Sequence, residues 1–496
     1  MMATDALLAA APLVIVLFTM GALGWSAASA GAAGLASALM ISFFAFGIGP
    51  PSIPSEFSAL GILAETLHAT ATILWIILPA LLLYEYQQHS GGLERIRLAL
   101  VQVTGTRRIQ VLLIAWFFAL FMEGAAGFGA PVAVAAPLLV GIGLSPARAV
   151  MLSLIGHAAG VPFGAVGTPT LTQVEIGGLP SLDLASTIAA FNFLLGFGLV
   201  FAVSRFADNA PMTWKDVRWT ATAGACFLLP YVAVAIFTGP ELPTLLGAFV
   251  GLLAFVLLLR ARAGAMPINW RELLPDVAPY VLLILLILVS RVVPPIREGL
   301  KEMVWSWDIL EHFSGSFAPF FHPGSLLFIS IGVAAIVTRK RLLLVPAFAA
   351  ALLRLGPVAL ALLLMLALAR VMVHSGMVGE LAKSAAHSGA GWPLLAAFVG
   401  AVGTFVSGSA TASNILFTQF QISTAEVLRL PPVLMAAAQG AGAAIGNVIA
   451  PHNIIAGCAT VGLSGGEGRL LRWTAPVCFI YLVLVGLLVA AVVTRY

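Results

Sequence analysis

Residues 123–143 read EGAAGFGAPVAVAAPLLVGIG. They place a carboxylate, five glycines and two prolines in a run otherwise apolar enough for hydrocarbon. A spanning helix is weakened by such residues, by about 1 kcal/mol for an interior Gly and about 3 kcal/mol for Pro. In a bilayer core each backbone group left unpaired costs several kcal/mol more. Broken backbone persists there only when it is buried in protein or lines a wet cavity. The stretch therefore predicts a helix break enclosed by the rest of the chain, and hence a binding site.

The surrounding chain supports a membrane setting. It is 61% hydrophobic and 9% charged over 496 residues, with a mean hydropathy of +1.06. Soluble domains carry roughly a quarter charged residues. Apolar runs long enough to cross a core of roughly 30 Å recur throughout, among them LLAAAPLVIVLFTMGALGW from Leu7 and VCFIYLVLVGLLVAAVV from Val477. The fold class is an all-α polytopic membrane protein of about 12–14 transmembrane helices. The N-terminus carries only Asp5 before the first run, without the basic region of a secretory signal, and reads as a spanning helix. Cys226, Cys458 and Cys478 lie in apolar context without metal-ligand spacing, so no metal or cofactor is expected. A net charge of +4 gives no reason to expect a nucleic-acid partner.

Charge in short loops sets orientation. Arg95/Arg97/Arg107/Arg108, Arg205/Lys215/Arg218, Arg260/Arg262/Arg271 and Arg339/Lys340/Arg341 fall on one face if the N-terminus is outside. The basic-poor connectors TGPELP at 238–243 and GIGPPSIPSEF at 47–57 then fall on the other. The connector 293–323 mixes signs, goes outside by alternation, and is expected to carry a short surface helix.

The chain also repeats itself. GHAAGVPFGAVGTPT at 156–170 aligns with QGAGAAIGNVIAPHN at 439–453, matching Gly160 with Gly442, Gly164 with Gly446 and Pro169 with Pro451 at an offset of 282 residues. A second weakened segment precedes each: EGAAGFGAP, and SGSATASN at 407–414. The connector LTQVEIGGLPSLD is acidic, whereas SGGEGRLLRW carries Arg469 and Arg472, which puts corresponding connectors on opposite faces. The reading is two inverted-topology repeats with broken helices or re-entrant hairpins, the architecture of secondary transporters. It divides the chain into N-terminal helices (1–108), a first core repeat (109–206), central helices (207–343), a linking helix and external loop (344–391) and a second core repeat (392–496).

Freed N–H groups at half-helix starts suit an anion, and freed carbonyls suit a cation. Gly124, Gly127 and Gly129 with Pro131 are expected to open the first half, and Gly408 with its hydroxyl and amide neighbours to supply donors in the second. Candidate substrate contacts are Gly127, Phe128, Gly129, Gly167, Thr168, Thr170, Ser407, Ser409, Thr411, Ser413, Asn414, His452 and Asn453. Glycines 156 and 160 read instead as helix-packing positions. Ionisable residues inside spans are functional candidates by default. Glu123 reads as a proton carrier, with a latch on backbone carbonyls as the alternative. His157 reads as a second proton group or a helix-contact hydrogen bond. Glu65 and His68, three apart on one helix face, read as a structural pair. Arg148 reads as a topological charge, and Arg370 with His374 as interface anchors, with pairing to an acid or attraction of anions as the alternatives. His452 aligns with Thr170, so both tips are candidates to touch substrate.

FMEGAAGFGAPVAVAAPLLVGIG from Phe121, FGAVGTPT from Phe163, SGSATASNILF from Ser407 and GNVIAPHNIIAGCATVGL from Gly446 resemble the lactate permease family. The resemblance covers nearly the whole chain. It implies a carrier of lactate and related 2-hydroxymonocarboxylates such as glycolate, moving protons with them across the bacterial inner membrane. It also implies a place in the wider ion-transporter superfamily, where some members move one domain like an elevator, an analogy at the level of fold. Two positions depart from the family pattern. Ala410 stands where a hairpin-tip acid is expected, and His157 where a small polar residue is expected. A carrier for a sulfonate or dicarboxylate, or a cation/proton antiporter of related architecture, is the alternative. The expected partners are a small carboxylate, protons and the lipid bilayer, with the oligomeric state left open. No His-Glu-x-x-His helix, P-loop or soluble domain points to an enzyme or a nucleotide-driven pump.

Overall fold

The computed structural model describes residues 2–49, 53–263, 270–463 and 467–494. Among them, thirteen helices are long and apolar enough to cross a membrane. The protein is a multi-pass, helical membrane protein, as the hydropathy predicts. Parts of the connectors 47–57 and 464–473 lie outside the described residues.

Burial separates two kinds of helix. The apolar windows of Thr4–Gly21 and Arg341–His374 are only 22% and 28% buried within the protein. Those of Arg107–Ala125, Pro146–Gly177 and Pro432–Thr460 are 94%, 100% and 83% buried. Three of the segments that carry the breaks are thus enclosed, where neighbouring protein can satisfy interrupted backbone. Around them pack helices with apolar outer faces, such as Ser55–Ser90 against Leu344–His374 and Trp214–Thr238 against Pro243–Ala263.

Glycine permits the close approaches inside. A Cβ at Gly156 would strike the Ala115 carbonyl, and one at Gly442 the Ala397 carbonyl. In each half, a glycine lets the second core segment lie directly on the backbone of the first.

Two connectors differ from expectation. Segment 293–323 does carry a surface helix, Pro294–Glu302, but it continues into an antiparallel hairpin of Trp305–Ile309 and Phe313–Phe317. WSWDI and FSGSF alternate apolar and polar residues, a period of two that a helix cannot use. Connector 238–243, short and polar in composition, has Thr238, Glu241 and Leu242 buried. It is folded into the protein, against the first core.

Candidate functional site

In the first half, the helix Arg107–Ala125 ends at a run of left-handed backbone. Gly127, Phe128 and Gly129 have φ of 56°, 47° and 81°. Glycine adopts this conformation without strain, and Phe128 is the strained exception. The chain re-enters helix at Ala130–Gly141 with Pro131 in the first turn, where a missing N–H removes no intrahelical bond. At about 1.5 Å per residue this helix reaches roughly 18 Å, too short to cross the core.

The second break follows a 3-10 turn, Ala158–Phe163. Ala165, Val166 and Gly167 have φ of 43°, 54° and 84°. A β-branched residue there costs on the order of 1–3 kcal/mol and persists only where its surroundings enforce it. Val166 is wholly buried. Both predicted breaks are present, and they touch. A Cβ at Gly127 would lie 3.1 Å from the Ala165 Cβ.

Glu123 lies at this junction. A Cβ at Gly164 would lie 3.0 Å from its Cδ, so only glycine leaves room for the carboxyl. His157 Nδ1 is 2.6 Å from the Ser153 carbonyl oxygen. A carbonyl only accepts, so Nδ1 carries the hydrogen and Nε2 points to Glu123 Oε2 at 4.0 Å. The two proton candidates of the sequence therefore face each other, both buried. In this tautomer Nε2 turns its lone pair toward the carboxyl across 4.0 Å, too far for a direct hydrogen bond.

Gly124 does not open the helix. It belongs to the last turn before the break, and a Cβ there would sit 2.6 Å from Leu245 Cα. The buried connector explains why. Thr244 Oγ1 donates to the Gly160 carbonyl at 2.8 Å, and a Cβ at Gly167 would lie 3.1 Å from Glu241 Cα. Glu241 is held by Arg291, whose Nη2 donates to Oε1 at 2.8 Å. Arg291 also donates to the Phe321 carbonyl at 2.9 Å and stacks 3.5 Å above that ring. The sequence reading missed this support. The available signal was Arg291 itself, a lone charge at the end of a long apolar run.

In the second half, the helix Trp392–Ser407 stops at Gly408, φ 69°. Ser409 then caps the helix Ala410–Leu428, its Oγ accepting from Ala412 N–H at 3.3 Å. The Ser407 hydroxyl donates to Gly403 O at 2.7 Å. The second break falls at residues 447–450, and Pro451–Thr460 restarts the helix. Asn453 donates across this break to Asn447. The two breaks meet here too, since a Cβ at Gly408 would lie 3.0 Å from the His452 Cβ.

Several candidate polar groups hold backbone in place. Thr168 Oγ1 donates to Ala165 O at 2.6 Å, and Thr170 Oγ1 to Pro162 O at 2.8 Å. Ser413 Oγ donates to Gly400 O at 2.7 Å. Asn414 donates to the Pro169 carbonyl at 3.0 Å, joining the halves. Its buried Oδ1 has no hydrogen-bond partner among the described residues. Thr411 is buried, while Phe128, Gly129 and His452 are exposed. Thr170 and His452, aligned in sequence, thus occupy unlike environments.

The halves pair reciprocally. Ala410–Leu428 lies along Gly164–Gly177, and Pro451–Thr460 packs on Ala130–Gly141. A Cβ at Gly457 would be 2.7 Å from Val132. Ala410 shares a small apolar cluster with Val161, Ala443 and Ala444.

Other charged residues differ from their first reading. Glu65 and His68 do not pair with each other. Glu65 binds His374 at 2.8 Å and lies 3.5 Å from Arg370, so those two residues satisfy an acid rather than anchoring at the interface. His68 faces Glu175 at 3.9 Å. Arg148 is half-buried and donates to Asn209 Oδ1 at 2.6 Å.

Enclosed helix breaks that touch in pairs, within a shell of apolar helices, are the arrangement of membrane carriers. The chain belongs to the L-lactate permease family, whose profile matches residues 5–495. It is 28% identical to an L-lactate permease of Salmonella typhimurium over 88% of this chain and 87% of that one. It is 29% identical to a glycolate permease of Escherichia coli K12 over 98% and 95%, and 30% identical to an L-lactate permease of Streptococcus iniae over 74% and 80%. Among solved structures, a YdaH transporter of Alcanivorax borkumensis with an unusual topology is similar at a TM-score of 0.48 and 16% identity, covering 88% and 86%.

Proposed function

We propose that this permease imports lactate or a related 2-hydroxymonocarboxylate such as glycolate, together with protons, across a bacterial inner membrane. The observation that carries the reading is the buried Glu123–His157 pair against two touching helix breaks. One element binds a proton, and the adjoining backbone presents N–H groups to an anion. The family's L-lactate and glycolate permeases supply the substrate class.

Residues 127–129 and 167–170 in the first half, with 407–414 and 452–453 in the second, form the substrate path in this reading. Gly127, Gly129, Gly167, Ser409 and Ala450 precede or begin half-helices, so backbone donors rather than a fixed cation neutralise the carboxylate. The inverted-repeat interpretation draws support from the reciprocal pairing of half-helices. The division at 109–206 and 392–496 follows from it.

The test is uptake of labelled L-lactate, D-lactate and glycolate into proteoliposomes, with and without an inward proton gradient. Gradient-dependent accumulation of at least one is expected. Absence of gradient-dependent uptake of all three sinks the assignment.

A further inference from the structure

A second cluster of titratable side chains lies under the β-hairpin, with His68 of helix Ser55–Ser90 at its centre. The indole N–H of Trp307 donates to His68 Nδ1 at 3.1 Å. An indole has a donor and no acceptor, so Nδ1 is held as the lone-pair nitrogen. Nε2 lies 3.2 Å from the Ser316 carbonyl oxygen, which only accepts, so Nε2 carries the hydrogen. His68 is thereby held neutral in a single tautomer, with one strand of the hairpin on each ring nitrogen. The fit is close. A Cβ at Gly315 would sit 2.6 Å from Trp307 Nε1 and 2.7 Å from His68 Cδ2.

The same Nε2 is 3.9 Å from Glu175 Oε1. Glu175 lies near the end of Gly164–Gly177, the half-helix that contains the Gly167 break. Arg370 also acts electrostatically on Glu175, and with His374 it holds Glu65, three residues before His68. From the hairpin side, His322 stacks on Phe317 at 4.9 Å. Burial, helped by Arg291, pushes its imidazole down to about 4, so it stays neutral in mild acid.

We propose that His68 is a second proton-binding site of this protein, whose occupation frees the first hairpin strand and draws the ring toward Glu175. The proton adds to Nδ1. The new Nδ1–H and the Trp307 N–H are then both donors, and their bond is lost. The imidazolium strengthens its attraction to the Glu175 carboxylate. Phe313, buried over Gly61 and 4.9 Å from the His374 ring, keeps the second strand seated. The strand Trp305–Ile309 is therefore the part that moves. The site ties the hairpin to a core half-helix, and it rests on His68 geometry alone, independent of the substrate reading.

Hydrogen-exchange mass spectrometry on the purified full chain tests it, comparing the hairpin peptide at about pH 8 and about pH 5.5. After correction for intrinsic rates, acid should lower protection of 305–309 by about tenfold, the factor for losing one hydrogen bond. His68→Gln presents an acceptor to Trp307 and a donor to Ser316 but takes up no proton, so its hairpin should stay protected at both pH values. Trp307→Phe should show equal, low protection at both. Unchanged wild-type protection between the two pH values overturns the proposal, and so does an acid response that survives in His68→Gln. Because no substrate is involved, failure of the carrier reading leaves this test intact.

Discussion

The two break junctions are built alike in backbone and unlike in chemistry. In the first half, touching breaks enclose a carboxylate and an imidazole, both buried, backed by the connector that Arg291 fixes through Glu241. In the second, the meeting point at Gly408 and His452 is partly open, and Ala410 packs among small apolar side chains. Serine hydroxyls there cap helix ends and bond local carbonyls. The contrast teaches a division of labour. In the proposed reading, the first junction supplies the proton-binding groups and the second supplies neutral donors to the anion.

The largest expected effect comes from filling the enclosed junction. Gly167→Val places a β-branched residue at φ 84° against the Pro240 carbonyl. A strain of about 3 kcal/mol predicts transport reduced by about 100-fold, measured as initial uptake per correctly inserted protein. Retained uptake would remove the rigid-break half of the comparison.

Glu123→Gln comes next. It keeps the shape of the junction and removes the proposed proton carrier, so gradient-driven accumulation should fall by on the order of tenfold or more. Substrate exchange at equal pH on both sides should persist. If accumulation continues to follow the gradient unaltered, coupling lies elsewhere.

Giving the second junction an acid sharpens the contrast. Ala410→Asp adds a carboxylate to the apolar cluster of Val161, Ala443 and Ala444. The start of Ala410–Leu428 offsets part of the burial penalty through its dipole. A net loss of about 2 kcal/mol should appear as a lower melting temperature in detergent. Unchanged melting would show that this junction is wet enough to solvate charge.

The smallest effect reports on the support behind the first junction. His322 Nδ1 accepts from Gly324 N–H, 3.3 Å away. Its folded pKa of about 4 lies below the unfolded value near 6.5, so the unfolded chain binds more protons between them. The stability it contributes is complete above about pH 6.5 and declines as pH falls toward 4. The expected loss is about 2 kcal/mol between pH 6.5 and 5. His322→Gln should flatten that slope in a pH series of melting curves, and an undiminished slope would place the titrating group elsewhere.

Much of this was legible in local sequence. Runs of twenty apolar residues marked the spans, and GFGAP, FGAVGTPT and SGSATASN marked the breaks, since Gly and Pro act on the backbone at their own positions. Glu123 and His157 stood out as charges in apolar context. Their facing each other was not readable, because 34 residues and a turn separate them. The connector TGPELP looked like a loop because its composition is that of one, and its burial depends on Arg291, fifty residues on. The pairing of Glu65 with His374 rather than His68 has the same cause. On a helix, residues three apart share a face, but a closer partner on another helix wins. The hairpin's alternation was visible, though it was hidden by mixed charge.

What the sequence determined by itself is everything set by short-range chemistry: a lipid-embedded helical chain, broken at fixed places, with an acid beside one break. Hydropathy and backbone freedom are properties of single residues and their neighbours, and they need no fold to act. The tertiary structure alone decided which breaks touch, which charges pair, and that a buried acid and imidazole back one junction while small apolar side chains back the other. Those outcomes depend on distances between side chains far apart in the chain, which exist only after the helices have packed.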